Sequence, residues 1–327
     1  MSEIKEQQEE EQQEIQESTT TFLDLTGQPH NFIGDGYDLP ETLTDIDLTN
    51  DKLTKIENIS HLKNLKKLCL RQNLITEIQD LPTESIQEID LYDNRITEIK
   101  NIKNFNQLLL LDLSFNEIRL IENLTHQDLP VLKELFLANN KITTIENLET
   151  LTTLKNLELG SNRLREIQGL ETLVNLESLW LGRNKITKIQ GLETLVNLKI
   201  ISIQNNRLEE IGDGLKTLVH LEELYLSYNG IKNMDGLQTL KSLKIIDLSA
   251  NKIQTLVGLD QLPQLEEFWA NDNLIDNMDN IEQQITKSIK CLYFERNPVA
   301  NHTQYRRIFI NMFPQLIQLD ATRVKRN

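Results

Sequence analysis

Apolar residues recur along this chain at a fixed spacing that begins near Leu43 and continues almost to the C-terminus. Each unit follows the pattern L-x-x-L-x-L-x-x-N, in which Leu, Ile, Phe or, once, Ala fills the apolar positions. Successive Asn positions are 21 to 24 residues apart, most often 22. Such a period predicts one short strand and one return segment per unit, stacked on its neighbours. The twelve Asn positions are Asp51, Asn73, Asn94, Asn116, Asn140, Asn162, Asn184, Asn206, Asn229, Asn251, Asn273 and Asn297.

The period and the motif are typical of leucine-rich repeats. We therefore predict an α/β solenoid, a leucine-rich-repeat horseshoe of about 12 repeats of about 22 residues, with a parallel sheet on its concave side and short helical or 3₁₀ segments on its convex side. Side chains alternate along a strand, so Leu154, Leu157 and Leu159 of the sixth repeat point inward. The Asn side chain can bond backbone groups of the adjacent turn, which predicts an Asn ladder between repeats.

A second position supports this register. Seven residues after most Asn positions the sequence has Gly, Asn or Asp, the residue types that best tolerate left-handed backbone. We predict turns there, on the convex side. The positions are Asn58, Asp80, Asn101, Asn123, Asn147, Gly169, Gly191, Gly236, Gly258 and Asn280, with Gly214 at eight residues because its repeat is one residue longer.

The two ends of the chain depart from the repeat. The first segment is mostly Glu and Gln and is predicted to be disordered, because it has too little apolar surface to bury. The second mixes apolar residues with turn formers and is predicted to be an irregular lead-in that shields the edge of the first repeat. Tyr305, Ile308, Phe309 and Met312 stand at helical spacing and predict a C-terminal cap. The predicted divisions are 1–21 (tail), 22–42 (lead-in), 43–297 (repeats) and 298–327 (cap).

Composition narrows the class of partner. Acidic residues outnumber basic ones by 50 to 34, and the net charge is −16. This charge argues against nucleic acid and anionic membrane as partners. The sequence has no apolar run near the roughly 20 residues that span a bilayer and no hydrophobic signal core. Cys69 and Cys291 lie about ten repeats apart, too far for a disulfide, which indicates a reducing compartment.

One variable position carries the candidate site. It is the residue between the second and third apolar positions, which we call the column, and it is expected to project from the strand centre on the concave face over roughly 50 Å. Five members are acidic, five are aromatic and none is basic. Strand surfaces favour aromatics in general, but adjacent like charges at Asp90 and Asp112 and the placement of both tryptophans favour a binding surface. The column is Asp47, Cys69, Asp90, Asp112, Phe136, Glu158, Trp180, Ser202, Tyr225, Asp247, Trp269 and Tyr293. Flanking residues that extend it are Glu134, Glu223, Glu267, Tyr92, Phe115, Tyr228, Asn271 and Asp272.

Catalytic chemistry is not predicted. The five histidines are scattered, and no pair has the spacing of metal ligands. Cys69 has Lys67 and Arg71 nearby, which could lower its pKa, but no base is evident to orient it. The sequence therefore predicts a protein that is not an enzyme and that needs no cofactor or metal.

Several segments resemble one known family, the leucine-rich-repeat regulatory subunit of type 1 serine/threonine protein phosphatase. The similarity covers about residues 40–327. It is carried by LDLSFN (111–116), LELGSNRLREI (157–167), LYLSYNGI (224–231), EEFWANDNLI (266–275), LYFERNP (292–298) and the cap QYRRIFINMFPQLIQLDATRV (304–324).

The resemblance implies a partner and a face. The partner is the phosphatase catalytic subunit, with room for a third, inhibitory subunit, and the expected location is nucleus and cytoplasm. Together with Tyr225 of the column, the expected contacts are Asp112, Phe136, Glu158, Trp180, Asp247, Glu267, Trp269 and Tyr293; the family often has Phe where Trp180 stands. One alternative is a scaffold in a ribonucleoprotein or cytoskeletal assembly. Another is an activator of a small GTPase, whose repeats are usually longer.

Overall fold

The structure, a computed structural model, describes residues 21–24, 39–278 and 281–325. The predicted tail up to residue 20, most of the lead-in and Asn280 of the turn series lie outside these residues. The chain forms two compact units, Met1–Lys141 and Ile142–Asn327.

Six three-residue strands form a parallel sheet in the first unit. They follow one another in chain order, and equivalent residues of successive repeats are direct neighbours. The lead-in is not wholly irregular, because its residues Phe22–Asp24 pair with the first repeat strand and extend the sheet by one strand. The strands are β1 Phe22–Asp24, β2 Asp45–Asp47, β3 Lys67–Cys69, β4 Glu88–Asp90, β5 Leu110–Asp112 and β6 Glu134–Phe136.

The second unit continues the same arrangement with nine strands. The pairs from β7 to β14 are parallel, and a final antiparallel pair, β14 with β15, ends the sheet. Together with the buried apolar positions, this confirms the predicted leucine-rich-repeat solenoid. The strands are β7 Asn156–Glu158, β8 Ser178–Trp180, β9 Ile200–Ser202, β10 Glu223–Tyr225, β11 Ile245–Asp247, β12 Glu267–Trp269, β13 Cys291–Tyr293, β14 Gln318–Leu319 and β15 Thr322–Arg323.

The core is built from the middle residue of each strand and the apolar positions around it. Leu157, Leu179 and Ile201, the middle residues of β7 to β9, are fully buried. Each turn of the chain buries only one face of its strand, so stacking on the next turn is what closes the core. The remaining strand residues are left to face outward, which fixes where the candidate site lies.

The Asn ladder is confirmed. The Oδ1 atom of Asn184 accepts the N–H of Leu164 in the preceding repeat at 3.0 Å, and its Nδ2 donates to the carbonyls of Leu159 and Leu181 at 2.9 and 3.1 Å. Asn73 makes the equivalent bonds in the first unit. Because these partners are buried backbone groups that would otherwise lack a bond, the Asn position is required by the fold and is not part of the site.

The predicted left-handed turns are also confirmed, with one exception. Every predicted position within the described residues has a φ between 52° and 110°, apart from Gly214. In that longer repeat the left-handed residue is Gly212, with φ 62°. Gly214 lies in a 3₁₀ helix, Gly212–Leu215, where an added Cβ would stand 2.1 Å from the carbonyl oxygen of Ile189. Gly214 is therefore needed for close backbone approach, and the prediction that it is a left-handed turn residue was wrong.

Most return segments are turns rather than helices. Among the described residues the helices are the 3₁₀ segments Gly212–Leu215 and Pro298–Asn301, α1 Ile281–Gln284 and α2 Tyr305–Met312. Helix α2 is the helix of the predicted cap. It buries Phe309 against Phe294 of the last repeat at 5.4 Å between ring centroids, and Tyr305 donates its hydroxyl to Asp320 at 3.0 Å.

Candidate partner-binding face

Each column residue is the last residue of its strand, not the central one. The central residue is buried, so the two ends of each strand point outward on the other face. Ten of the twelve column side chains are partly exposed, and Ser202 and Asp247 are buried. The column therefore forms an outward-facing row within each unit, but with two members below its surface.

The aspartates of the column have a structural role that the sequence reasoning missed. Asp112 Oδ1 accepts the backbone N–H of Ser114 at 2.8 Å, and Asp90 Oδ1 accepts that of Tyr92 at 3.0 Å. Asp47 bonds Thr49 and Asp247 bonds Ser249 in the same way. This Asx turn, in which a carboxylate bonds the amide two residues on, favours Asp wherever a strand ends. Recurrent Asp in the column is thus partly a requirement of the turn.

The first unit presents an acidic row. Asp90 and Asp112 are neighbours in the β4–β5 register, as the sequence suggested. Burial raises the pKa of the Asp90 carboxyl, and the charge of Asp112 adds to the rise. Arg71 lies 3.2 Å from Asp90 and stacks 4.6 Å over the ring of Tyr92, whose centroid is 4.6 Å from that of Phe115. The acidic row is therefore bordered by a cation and an aromatic pair.

Cys69 lies in this row but is not activated. The nearby Lys67 and Arg71 do not leave it with a lowered pKa, because burial raises the pKa of the Cys69 thiol. Both cations have carboxylate partners instead, since Lys67 bonds Glu88 at 2.9 Å and Arg71 pairs with Asp90. The hydroxyl of Thr49 contacts the sulfur at 3.3 Å. A protonated, half-buried thiol is a poor nucleophile.

The second unit presents a chain of aromatic side chains, which we call the aromatic cluster. Trp180 and Tyr225 are stacked with centroids 6.4 Å apart and an interplanar angle of 19°. Tyr225 and Trp269 are also 6.4 Å apart, and Trp269 meets Tyr293 edge to face at 5.8 Å. Each of these contacts contributes about 0.5–1.5 kcal/mol beyond the area it buries. The sequence placed these residues on one face but did not predict that they would touch.

Two of these contacts pass over an intervening strand. Trp180 and Tyr225 stand on β8 and β10, and strands two apart are separated by roughly 9.6 Å. Their rings therefore lean toward each other over β9, which leaves Ser202 only 2% exposed. Tyr225 and Trp269 lean over β11 in the same way, and Asp247 is 7% exposed. Asp247, which the sequence predicts as a contact residue, is therefore almost fully covered by the aromatic rings.

Carboxylates hold the polar ends of the aromatic cluster. The Tyr225 hydroxyl donates to Glu223 at 2.7 Å, and the indole Nε1 of Trp269 donates to Glu267 at 3.2 Å. Burial first, and then the bond to Glu223, raise the pKa of Tyr225. No Lys or Arg occurs in strands β7 to β13. The face is therefore aromatic and negative, with its carboxylates already oriented by the rings.

The remaining predicted site residues border these two patches. Tyr293 is hydrogen-bonded to Gln318 of β14 through its hydroxyl. Glu158 is the direct neighbour of Trp180 in the β7–β8 register. Phe136 neighbours Asp112 in the β5–β6 register. All three are partly exposed.

A charged ladder at the other edge of the strands was not anticipated. The residue just before each of the strands β7 to β13 alternates between Lys and Glu along the chain. Glu177 accepts from Lys155 and from Lys199, both at 2.7 Å, and these two bonds lower the pKa of Glu177 to about 2. Lys244 pairs with Glu222 at 2.5 Å and Lys290 with Glu266 at 2.6 Å. The alternation can be seen in the sequence once equivalent residues of successive repeats are compared.

The residues that the structure describes contain no group of three His, Cys, Asp or Glu side chains arranged to hold a metal ion. None of their helices is both long and apolar enough to cross a bilayer.

Comparison with solved structures supports the fold. The chain is similar to the internalin InlF of Listeria monocytogenes, with a TM-score of 0.77, 22% identity, and coverage of 95% of this chain and 89% of that one. It is also similar to a leucine-rich-repeat protein of Leptospira interrogans, with a TM-score of 0.69, 24% identity, and coverage of 91% and 89%. At these identities the likeness concerns the fold alone.

Sequence comparison identifies the family. A family model described as leucine-rich repeat matches residues 217–327, and one described as leucine-rich repeats in two copies matches residues 130–172 and 174–217. The chain is 71% identical over 313 residues to the protein phosphatase 1 regulatory subunit pprA of Dictyostelium discoideum, covering 95% of this chain and 93% of that protein. The chain therefore belongs to the family of leucine-rich-repeat regulatory subunits of protein phosphatase 1, and its role is regulatory, not catalytic.

Proposed function

We propose that the protein binds the catalytic subunit of type 1 serine/threonine protein phosphatase through the outward face of its strands. The aromatic cluster with its oriented carboxylates is the observation that carries this proposal. Partly exposed Trp and Tyr side chains with ring centroids 5.8–6.4 Å apart supply large, rigid area for a partner, which is what binding hot spots have in common. The 71%-identical phosphatase subunit favours this partner over a ribonucleoprotein or cytoskeletal scaffold.

The chemistry of the face specifies the partner's surface. Glu223 and Glu267 lie at the edge of the aromatic cluster, and the strands around them carry no cation. A basic patch on the catalytic subunit fits this face, because opposite potentials speed encounter and fix orientation. We expect association to weaken as salt rises, since part of the attraction is screened.

The contact set divides between the two units. In the first unit we propose Asp112 and Phe136. In the second unit the proposed contacts are Glu158, Trp180, Tyr225, Glu267, Trp269 and Tyr293. Asp247 is assigned to support of Tyr225 and Trp269 from below, because its side chain is covered.

Calorimetric titration tests the partner and the face together. The catalytic subunit is titrated with wild type and with Glu267→Ala/Trp269→Ala, at two salt concentrations. We expect salt-sensitive wild-type binding and a loss of about 2 kcal/mol or more in the double variant. The matched control is Glu193→Ala/Val196→Ala, which removes one carboxylate and one exposed apolar side chain away from the strands.

The results separate the possible failures. Unchanged binding by a folded Glu267→Ala/Trp269→Ala protein would overturn the face. No binding by wild type would overturn the partner. Equal loss in the control variant would show that general charge or stability, and not this face, governs association.

Control of the phosphatase is the functional consequence we propose. Binding over a wide face can alter the activity of the catalytic subunit or direct it to a location, and nucleus and cytoplasm are the proposed locations. A third, inhibitory subunit in the same complex belongs to this proposal. Three experiments test these points. Unchanged phosphatase activity with and without the protein would contradict control of activity, and an unchanged location in images of the tagged chain would contradict control of location. A two-chain mass of the purified complex would contradict the third subunit.

A further inference from the structure

A row of cations stands beside the Asn ladder in the second unit. Arg163, Lys185 and Arg207 each directly follow the Asn of their repeat, and we call them the basic ladder. The N–H of Lys185 donates to Leu164 at 2.8 Å, and that of Arg207 donates to Ile186 at 2.9 Å. Successive members therefore lie on hydrogen-bonded neighbouring segments, about 4.8 Å apart.

Three more cations border the basic ladder. Arg165, Arg183 and Lys188 are exposed in the same turns. In the part of the chain that the structure describes, none of these six side chains is in an ion pair or side-chain hydrogen bond. Like charges on adjacent segments are destabilising, and here they recur in a protein whose net charge is −16.

Cations at the other edge of the same unit behave differently. Lys155 and Lys199 share Glu177, and Lys244 pairs with Glu222. In strands β7 to β13 the sequence thus supplies a carboxylate in the adjacent repeat wherever a lysine precedes a strand. In the basic ladder the adjacent repeat supplies another cation instead. The exposed Glu166 and Glu210 of these turns form no ion pair with the ladder, so its charge is not neutralised internally.

We propose that the basic ladder binds a short acidic segment of a partner protein, rich in Asp or Glu. Guanidinium and ammonium groups form charge-assisted hydrogen bonds with carboxylates, and Arg can form them in pairs. Three members span roughly 10 Å, which an extended peptide covers in three to four residues. A long polyanion such as nucleic acid would face the repulsion of the whole −16 charge, whereas a short segment meets mainly the local field.

This site goes beyond the phosphatase-binding face. None of its residues belongs to the column, and the structure gives its side chains no role in the turn, unlike the aspartates. The basic ladder can therefore be tested without the phosphatase, and its failure would leave the phosphatase proposal untouched.

A fluorescent ten-residue peptide of alternating Glu and Ser is the probe, with anisotropy as the readout. We expect binding to wild type at low salt and a loss of about tenfold or more in Arg163→Ala/Lys185→Ala/Arg207→Ala, because three charge-assisted contacts are removed. The control Lys155→Ala/Lys199→Ala/Lys244→Ala removes the same charge from the other edge. We expect it to bind the peptide within about twofold of wild type, since the basic ladder is intact. Its total charge equals that of the ladder variant, so a difference between the two cannot come from net charge.

Four results would overturn the proposal. They are no binding of the Glu peptide by wild type, equal binding of a peptide with Gln in place of Glu, equal loss in the two triple variants, and tighter binding of a single-stranded oligonucleotide of equal charge at the same residues. Thermal unfolding of each variant is measured alongside. All substituted residues are solvent-accessible, so folded proteins are expected.

Discussion

The same position of the repeat carries two different surfaces in the two units. In the first unit it holds Asp47, Asp90 and Asp112, and each carboxylate is tied to the backbone of its own turn. In the second unit it holds the aromatic cluster, whose members contact one another across strands. One set of side chains serves the local backbone, and the other is supported by neighbouring repeats.

This difference separates fold from function within one column. A carboxylate that closes an Asx turn has a reason to be there without any partner. A partly exposed tryptophan has no such structural reason. Exposure of its apolar surface to water is unfavourable, and a partner that covers the ring offsets this. The aromatic cluster is therefore the stronger indicator of function, although the sequence alone gave equal weight to the acidic and the aromatic residues of the column.

The largest expected contrast is in phosphatase binding. We expect Trp269→Ala to weaken association with the catalytic subunit by about 2 kcal/mol or more, and Asp112→Ala by less than about 1 kcal/mol. Trp269→Phe should retain most of the affinity, since the edge-to-face contact with Tyr293 can persist while the bond to Glu267 is lost. Calorimetry measures all three. A larger loss from Asp112→Ala would assign the hot spot to the first unit and reverse the comparison.

A second contrast concerns the residues between the large ones. Ser202 lies beneath Trp180 and Tyr225 with almost no exposed surface, so Ser202→Phe should separate the rings and lower the free energy of unfolding by about 1–3 kcal/mol. Cys69 occupies the same position between Asp47 and Asp90 and is only half-buried. We expect Cys69→Phe to lower the free energy of unfolding by less than about 1 kcal/mol. Thermal melts compare the two; equal losses would mean that the rings do not enclose Ser202.

Whether a structural feature could be predicted from the sequence depends on the range of the interactions that form it. The spacing of Leu and Asn predicted the strands, their order and the Asn184 bonds, because each depends on one repeat and its neighbour. The left-handed turn was wrongly assigned to Gly214 because that repeat has one inserted residue. Counting residues does not show where in the repeat the insertion changes the backbone. The cap helix was predicted because its apolar residues follow a helical period.

Other features have no simple sequence signal. The residue before each Asn has a φ of 52° to 63° although none of the twelve is Gly, and they include the exposed Phe115 and Tyr228. Five of the twelve are Asn or Asp, which tolerate this conformation, but the other seven are residue types that give no warning of it; there the ladder bonds impose it at a cost. The covering of Asp247 depends on ring orientations two strands away, which the alternation of side chains does not determine.

The Asx turns can be tested by stability alone. Asp112→Ala removes the acceptor for the Ser114 N–H and should lower the free energy of unfolding by about 1 kcal/mol. Asp112→Asn keeps an acceptor oxygen at the same place and should lose much less. In the second unit Tyr225→Phe removes the hydrogen bond to Glu223. We expect it to lower the free energy of unfolding by less than Asp112→Ala does, because Glu223 can bind water instead. Urea unfolding measures the three variants; equal stability of the Ala and Asn variants would remove the structural role of Asp112.

The smallest effects are pH-dependent, and they have opposite signs in the two units. Burial raises the pKa of Asp90, so the folded state favours its protonated form. The stability that this group contributes is present below the ordinary carboxyl pKa and is lost as pH rises through the folded pKa. Asp90→Asn removes the titration and keeps an acceptor for the Tyr92 N–H. We expect its Tm to exceed that of wild type by about 1–2 °C at pH 7 and to match it near pH 3.

Glu177 in the second unit reverses this sign. Its pKa in the folded protein is about 2, because Lys155 and Lys199 both bond it, so its contribution is present above the ordinary carboxyl pKa and is lost as pH falls toward 2. We expect Glu177→Gln to lower the Tm at pH 7 and to converge with wild type in acid. The effect should be the smaller of the two, since exposed ion pairs contribute little and are screened by salt. Thermal melts at pH 3 and pH 7, with and without 0.5 M salt, distinguish the two carboxylates. A Glu177 effect on the Tm that survives salt would contradict its assignment to surface ion pairs. An Asp90 effect with the same sign as that of Glu177 would contradict the assignment of Asp90 to burial.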